Sequence, residues 1–266
     1  MPIRKMIIAL FLVTLISLST LSAQAQRLTL PDFETLFKGI DGTFLLYDEA
    51  NDQLIVYNPD RAQTPFTPYS TFKILNSMIS LETGAIDDVE TVIPFDPEAV
   101  DLSNLTPQLR ELWGQDHTMR TAIRDSVVWF YVEMARSGGQ EQMQAYIDQV
   151  GYGNQLITGW IDPVPFWLGG DGSATTLEIT PYQQMDFIRA FYHEEFEFSQ
   201  RTYDLVKDIL IRDETDDYQL SAKTGGATLG WYVGYVEVDD RVYYFVLNLD
   251  KSGQIRIDLT YAILRE

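Results

Sequence analysis

Strand-like patterning lies near both ends of this chain and helical patterning fills the middle, which leaves few ways to close a core. Gly42 to Tyr47 and Gln53 to Tyr57 read as strands about a turn at Asn51-Asp52. Tyr218 to Lys223, Trp231 to Val238 and Arg241 to Leu249 alternate or run in β-branched and aromatic residues, with a tight turn at Asp239-Asp240. Between these ends the pattern is mostly helical. Lys73 to Leu81 is an apolar helix stopped near Gly84, and Pro107 to His193 is helical in most parts, most clearly over Thr118–Arg136 and Gln140–Val150. Thr180-Pro181 starts another helix toward His193, while the glycines and prolines from Gly151 to Gly172 break periodicity and predict a long, structured loop. A short helix over Pro31–Lys38 precedes the first strand, and one over Arg256–Leu264 follows the last. The expected class is α/β of the α+β kind: one antiparallel sheet completed by both chain ends, with an inserted helical lobe. With 266 residues, 45% of them hydrophobic, the chain can bury one large core, and no linker divides residues 26–266.

Residues 1–25 stand apart from that core. Arg4 and Lys5 precede an apolar run from Met6 to about Leu21, and Ala23-Gln24-Ala25 is a small-x-small cleavage pattern, so a secretory signal peptide with a mature start at Gln26 is expected. The rival is a membrane anchor. Against it, the run is short for a span and is interrupted by Thr14, Ser17, Ser19 and Thr20. The expected address is the periplasm, without stable membrane association after cleavage. There is no cysteine, hence no disulfide. The net charge is −20, and removal of the signal segment, which carries Arg4 and Lys5 and no acid, makes it −22. Such a surface repels phosphate backbones, so nucleic acid is not an expected partner.

The chemistry centres on Ser70-Thr71-Phe72-Lys73. Ser at i and Lys at i+3 share a helix face, so the amine can reach the hydroxyl and act as the base a serine nucleophile needs. Only His117 and His193 are available as histidines; neither sits in a triad motif or has metal-ligand partners, and both read as structural or exposed. Taken alone, Ser70 reads equally well as a helix N-cap, and Lys223-Thr224-Gly225 as a strand ending at a turn. Order and setting add specificity: a Ser-x-x-Lys helix, then Ser126-Val127-Val128 between helices, then a late Lys-Thr-Gly strand.

In these motifs the sequence resembles the class D β-lactamases, the oxacillinase family, over nearly the whole mature chain. Gly42-Thr43-Phe44, Ser70-Thr71-Phe72-Lys73-Ile74, Leu81-Glu82-Thr83-Gly84, Gln115-Asp116-His117-Thr118, Ser126-Val127-Val128-Trp129, Tyr152-Gly153-Asn154 and Lys223-Thr224-Gly225 follow the family pattern in the family order. The resemblance implies a transpeptidase-like fold and hydrolysis of β-lactams through a Ser70 acyl-enzyme. It implies that Lys73 is an N6-carboxylysine acting as general base, that Trp167 holds the carbamate through its indole N–H, and that Ser126 passes a proton to the departing lactam nitrogen. Val128 stands where many penicillin-binding relatives have an asparagine, and a valine there leaves the Lys73 amine in an apolar setting that disfavours its ammonium. Lys223 adds positive potential, the N–H groups of Ser70 and Gly226 form an oxyanion hole, and Thr224 and Arg256 hold the substrate carboxylate. Gly225 leaves room for substrate against the strand edge. Trp167 also reads as ordinary loop packing, and Arg256 as a surface arginine. No metal and no organic cofactor is implied, only carbon dioxide or bicarbonate to carboxylate Lys73.

The departures bear on the pocket. Tyr69 replaces the small residue usual before the nucleophile, either narrowing the pocket or pointing into core. Only the five residues Gly226 to Gly230 separate the Lys-Thr-Gly motif from Trp231, and Gly159 to Pro165 is slightly expanded. Three rival readings accompany the enzyme: a β-lactam sensor that acylates without turnover, a D,D-peptidase, and an exported protein that keeps the fold without the chemistry.

Overall fold

Both faces of the sheet are covered, which is why its strands read as near-continuous apolar runs rather than clean alternation. The computed structural model describes residues 31–170 and 176–265; the expected signal peptide lies outside them. The six strands are β1 (Gly42–Asp48), β2 (Gln53–Tyr57), β3 (Ile211–Glu214), β4 (Tyr218–Gly226), β5 (Gly230–Val238) and β6 (Arg241–Leu249). They form one antiparallel sheet in the order β2-β1-β6-β5-β4-β3. The strand from the N-terminal end therefore pairs with the last strand of the chain, as expected from the sequence.

Alternation along each strand serves two cores. Phe44, Leu46, Tyr232, Val236, Phe245 and Leu247 face helices α1 (Phe33–Leu36) and α10 (Ile255–Leu264), where Phe37, Leu259 and Ile263 close the smaller core. Leu45, Trp231, Val233, Tyr235, Tyr244 and Val246 face the larger helical lobe. The lobe comprises α3 (Lys73–Glu82), α4 (Pro107–Trp113), α5 (Met119–Asp125), α6 (Val128–Gly138), α7 (Gln140–Val150), α8 (Pro181–Tyr192) and α9 (Gln200–Leu210), and the one-turn α2 (Pro59–Ala62) lies beside β1. Every residue of α3 from Lys73 to Leu81 is buried, so the helix that carries the candidate base is central to the lobe.

Some elements differ from the expectation. The helical stretch over Thr118–Arg136 is two helices, with Ser126 and Val127 between them as the motif's setting implied, and Ser126 ends α5 in a left-handed conformation at φ +60°. The proline-rich connection before Ser70 contains α2, started by proline at its first position. Helix α9 and strand β3 fall where no element was expected. Gly151–Gly172 is largely irregular among its described residues, apart from a 3-10 turn at Phe166–Leu168. Among the described residues no helix is long and apolar enough to cross a membrane.

The Tyr152-Gly153-Asn154 stretch is the seam that ties this loop to the chain before α8. Asn154 donates from Nδ2 to the Thr176 carbonyl at 2.8 Å and accepts from the Glu178 N–H at 3.1 Å. Gly153 sits at φ +57°, and a Cβ there would lie 2.1 Å from the Glu178 carbonyl oxygen. Gly153→Ala therefore combines an unfavourable backbone conformation with a backbone clash and is expected to cost about 2–4 kcal/mol. Chemical denaturation of the parent and variant checks it; an unchanged midpoint would show that the seam yields at little cost.

Candidate active site

The nucleophile turn is built before the helix rather than by it. Ser70 lies in a 3-10 turn, Tyr69–Phe72, and the α-helix starts only at Lys73, so Ser70 is not a helix N-cap and makes no side-chain cap bond. Tyr69 takes φ +49°, a conformation costly for a bulky residue, and strain of this kind persists only when the surroundings enforce it. Here they do. Thr71 donates its N–H (3.2 Å) and its hydroxyl (2.7 Å) to the Pro68 carbonyl, and Trp231 donates from Nε1 to the Thr67 carbonyl at 3.0 Å. The Tyr69 side chain is half-buried and packs against the large core.

Lys73 is fully buried, and its Nζ makes three short contacts: Ser70 Oγ at 3.0 Å, the Ser126 carbonyl at 2.6 Å and Ser126 Oγ at 3.2 Å. Burial alone lowers its pKa from 10.5 to about 7. The amine is thus desolvated but not in the purely apolar setting that the valine at position 128 suggested. Val128, the first residue of α6, is half-buried on the wall of a groove with Trp113, Trp129 and Pro165. The Tyr131 ring centroid lies 5.4 Å from Lys73 Nζ.

Ser126 joins the two halves of the site. Strand alternation turns Lys223 toward the helical lobe while its neighbour Ala222 packs in the smaller core. Lys223 Nζ then reaches Ser126 Oγ at 3.0 Å and the Thr224 carbonyl at 3.0 Å. Its pKa lies well below the usual amine range, first through burial and then through the positive charges of Lys73, Arg212 and Arg256. One hydroxyl thus stands between two amines that resist protonation together.

The substrate-facing strand end differs in one respect from the expectation. A Cβ on Gly225 would lie 2.9 Å from both the Pro68 carbonyl oxygen and Thr71 Cγ2, so glycine is needed because β4 seats directly on the nucleophile turn. Gly226, at φ +142°, would bring a Cβ within 2.2 Å of the Leu229 carbonyl oxygen. Thr224 is half-buried. Arg256 is no free surface arginine: Nη1 donates to the Gly225 carbonyl at 2.8 Å, and its buried Nε has no hydrogen-bond partner among the described residues.

Trp167 is fully buried in an aromatic cluster. It stacks on Phe72 with ring centroids 5.6 Å apart and meets Phe166 edge-on at 5.0 Å; Trp160 in turn stacks on Phe166. Packing is therefore part of its role, yet its indole N–H is buried with no acceptor among the described residues. A buried donor left unpaired is costly and calls for an explanation. Buried Gln184 went unnoticed in the sequence. It donates from Nε2 to Thr71 Oγ1 at 2.7 Å and to the Tyr152 hydroxyl at 3.1 Å, and a glutamine inside an amphipathic helix pattern gives no sign of this. His117 is buried, bonded to Thr121 Oγ1 and to the Leu112 carbonyl, while His193 pairs with Glu49 and the Tyr244 hydroxyl far along the chain from these motifs. Among the described residues no group of three or more His, Cys, Asp or Glu side chains is placed to hold a metal ion.

The chain is similar to known proteins over most of its length. The penicillin-binding protein transpeptidase domain family matches residues 42–265. Probable beta-lactamase YbxI of Bacillus subtilis (strain 168) is 37% identical over 86% of this chain and 82% of that protein. Beta-lactamase OXA-48 of Klebsiella pneumoniae is 35% identical over 85% of this chain and 81% of that protein. A solved class D beta-lactamase from Bacillus subtilis superimposes with a TM-score of 0.80 at 36% identity, covering 90% of this chain and 97% of the other. With a shared fold and identity at this level over most of both chains, this protein belongs to the class D serine β-lactamases.

Proposed function

We propose that this protein hydrolyses β-lactam antibiotics through an acyl-enzyme on Ser70, with Lys73, carboxylated on Nζ by carbon dioxide, as general base in acylation and deacylation. The observation that carries the reading is the contact set at Ser126, whose hydroxyl lies between two buried amines, one of which also touches Ser70. The surroundings fit a carboxyl group on Lys73. An amine brought down to about 7 is substantially neutral at neutral pH, as attack on carbon dioxide requires. The Trp167 indole N–H is a buried donor in want of an acceptor, and Trp167 stacks on the residue preceding Lys73. When present, the carbamate supplies a base to accept the Ser70 proton and later that of water.

The remaining steps belong to the chain's own groups. Ser70 Oγ attacks the lactam carbonyl, and the N–H groups of Ser70 and Gly226 receive the developing oxyanion, a contribution of about 3 kcal/mol for each such donor. Ser126 delivers a proton to the lactam nitrogen as the ring opens, with Lys223 in contact with its hydroxyl. Thr224 and Arg256 take the substrate carboxylate at the end of β4, where Arg256 is already fixed by the Gly225 carbonyl.

Residues 26–266 are expected to turn over a chromogenic cephalosporin and a penicillin, faster with added bicarbonate, and Lys73→Ala to lose turnover because both half-reactions lose their base. One acyl group per protein without turnover would make the protein a sensor, cleavage of a D-alanyl-D-alanine peptide a peptidase, and near-normal hydrolysis by the alanine variant would remove Lys73 from the base role.

Trp167→Phe keeps the ring on Phe72 but removes the N–H, so it is expected to raise the dissolved carbon dioxide needed for half-maximal activity and to slow deacylation. The requirement depends on pH with a fixed sign. The neutral amine falls to about one-tenth at one unit below a pKa of about 7, so more carbon dioxide is needed at pH 6 than at pH 8. Activity titrations with carbon dioxide at both pH values check this; identical curves for parent and variant would sink the role of Trp167.

We further propose that residues 1–25 direct export to the periplasm and are removed, on the strength of the basic start, apolar run and Ala23-Gln24-Ala25 pattern. Amino-terminal sequencing of the protein recovered from an exporting host should begin at Gln26; an intact Met1 terminus on a membrane-bound protein would favour the anchor.

A further inference from the structure

Ser126 sits where α5 ends, and the last carbonyls of a helix have no partners within it. Here one partner follows directly in the chain and two come from other elements. The Ala122 carbonyl accepts the N–H of Val127 at 2.9 Å, the Asp125 carbonyl accepts Trp113 Nε1 at 3.1 Å, and the Ile123 carbonyl accepts Arg212 Nη2 at 3.1 Å. The same guanidinium donates from Nε to the Ala222 carbonyl at 2.9 Å, immediately before Lys223. Arg212 thus grips one backbone oxygen three residues before Ser126 and another one residue before Lys223, the two side chains that meet at 3.0 Å.

The strand is shaped to allow this grip. β3 pairs Ile211 with Ser221 and Asp213 with Leu220, so two steps along β3 match one along β4, and Arg212 is the unopposed residue of a bulge. Bulges re-aim side chains, and this one puts Ile211 and Asp213 on opposite sides of the sheet, with Arg212 the extra residue between them. Asp213 accepts the Tyr261 hydroxyl of α10, beside the smaller core, while Arg212 reaches α5 in the lobe. In a regular strand Asp213 would share a face with Ile211. The Ala222 carbonyl lies just past the last paired residue of β3, so the guanidinium takes an edge position that strand pairing leaves open.

We propose that Arg212 is a positioning residue for the proton-transfer pair, its guanidinium fork locking the end of α5 to β4 so that Ser126 Oγ and Lys223 Nζ stay in contact. The proposal rests on the β-lactam-hydrolase reading above, because Ser126 serves the ring-opening step there. A planar fork with a fixed spread suits two carbonyls on separate elements, which the single ammonium of a lysine cannot match. The charge has a second consequence. Lys223 faces Lys73 from α3, Asp125 from α5, Arg256 from α10 and Arg212 from β3, while Arg212 itself faces Tyr131 of α6, Tyr232 of β5 and Asp125 and Arg124 of α5. Loss of the Arg212 cation therefore lets Lys223 hold its proton to higher pH.

The test separates steps. Acylation uses Ser126 and Lys223, whereas deacylation depends on the base at Lys73. Arg212→Lys and Arg212→Gln are expected to slow acylation by a penicillin about tenfold to hundredfold in stopped-flow single turnovers, with deacylation of the preformed acyl-enzyme little changed. Titration of 13C-labelled lysine by NMR should show the Lys223 signal moving to higher pH in Arg212→Gln and staying in place in Arg212→Lys. Unchanged acylation in Arg212→Lys overturns the proposal, as does an equal loss in both steps that follows a fall in melting temperature. Should Arg212→Gln fail to fold, Arg212→Lys carries the kinetic test. Should the parent protein not be acylated at all, the hydrolase reading fails, and the lysine titration still decides whether Arg212 governs Lys223.

Discussion

Two amines are buried around one hydroxyl, and much of the structure is arranged to make that tolerable. Taking an ammonium out of water is costly, and the cheaper course is to give up the proton. For Lys73 the displacement from 10.5 to about 7 corresponds to roughly 5 kcal/mol against the charged form. Between those two values the unfolded chain binds the proton and the folded one does not, so stability rises with pH across that window and the cost is complete below about 7. The cost is carried by α3, a fully buried helix in the largest core of the molecule, which has apolar burial to spare.

A site that stores electrostatic cost also stores backbone strain. Tyr69 and Ser126 both occupy the left-handed region, at φ +49° and +60°; the first precedes Ser70 and the second stands between the two amines. Local contacts hold each conformation only in part. The first is held by the carbonyl of Pro68, by Gln184 from α8 and by the seat of Gly225. The second is held by the bonds of Trp113 and Arg212 to the end of α5. Each strained residue is thus fixed by elements distant in sequence, which is what lets the contacts at 3.0 Å survive without a regular hydrogen-bond ladder beneath them.

The sheet was legible because strand patterning and turn chemistry are local: Asn51-Asp52 and Asp239-Asp240 turn where expected, and the strands between them end within a few residues of their predicted bounds. The grouping of Ser70, Lys73, Ser126 and Lys223 was legible through spacing and order. What was not legible depends on tertiary partners. The motif set Ser126-Val127-Val128 between helices, but nothing in those residues announces the left-handed conformation of Ser126. Gly225 reads as room for substrate, whereas its missing Cβ is demanded by Pro68 and Thr71, residues far away in the chain. The α9–β3 junction runs helix directly into strand without a glycine or proline between them, so no punctuation marked it, and the bulge that turns Arg212 toward α5 leaves no trace in composition.

The unpaired indole of Trp167 shows how polar satisfaction can point to chemistry. Most buried donors in this fold have partners, including the indoles of Trp113, Trp129 and Trp231, each of which finds a backbone carbonyl. Trp167 is as deeply buried as any of them, lies in an aromatic cluster, and has none among the described residues. Phenylalanine would serve packing there without leaving a donor stranded, so the indole N–H fits the proposal that an acceptor meets it in the working protein. Lys73, with its neutral-leaning amine, directly follows the stacked Phe72, and an amine that has given up its proton is the species that carbon dioxide converts into an acceptor. Desolvation of Lys73 and the orphaned indole are thus two halves of one requirement, and the carboxylated lysine is the simplest group that meets both.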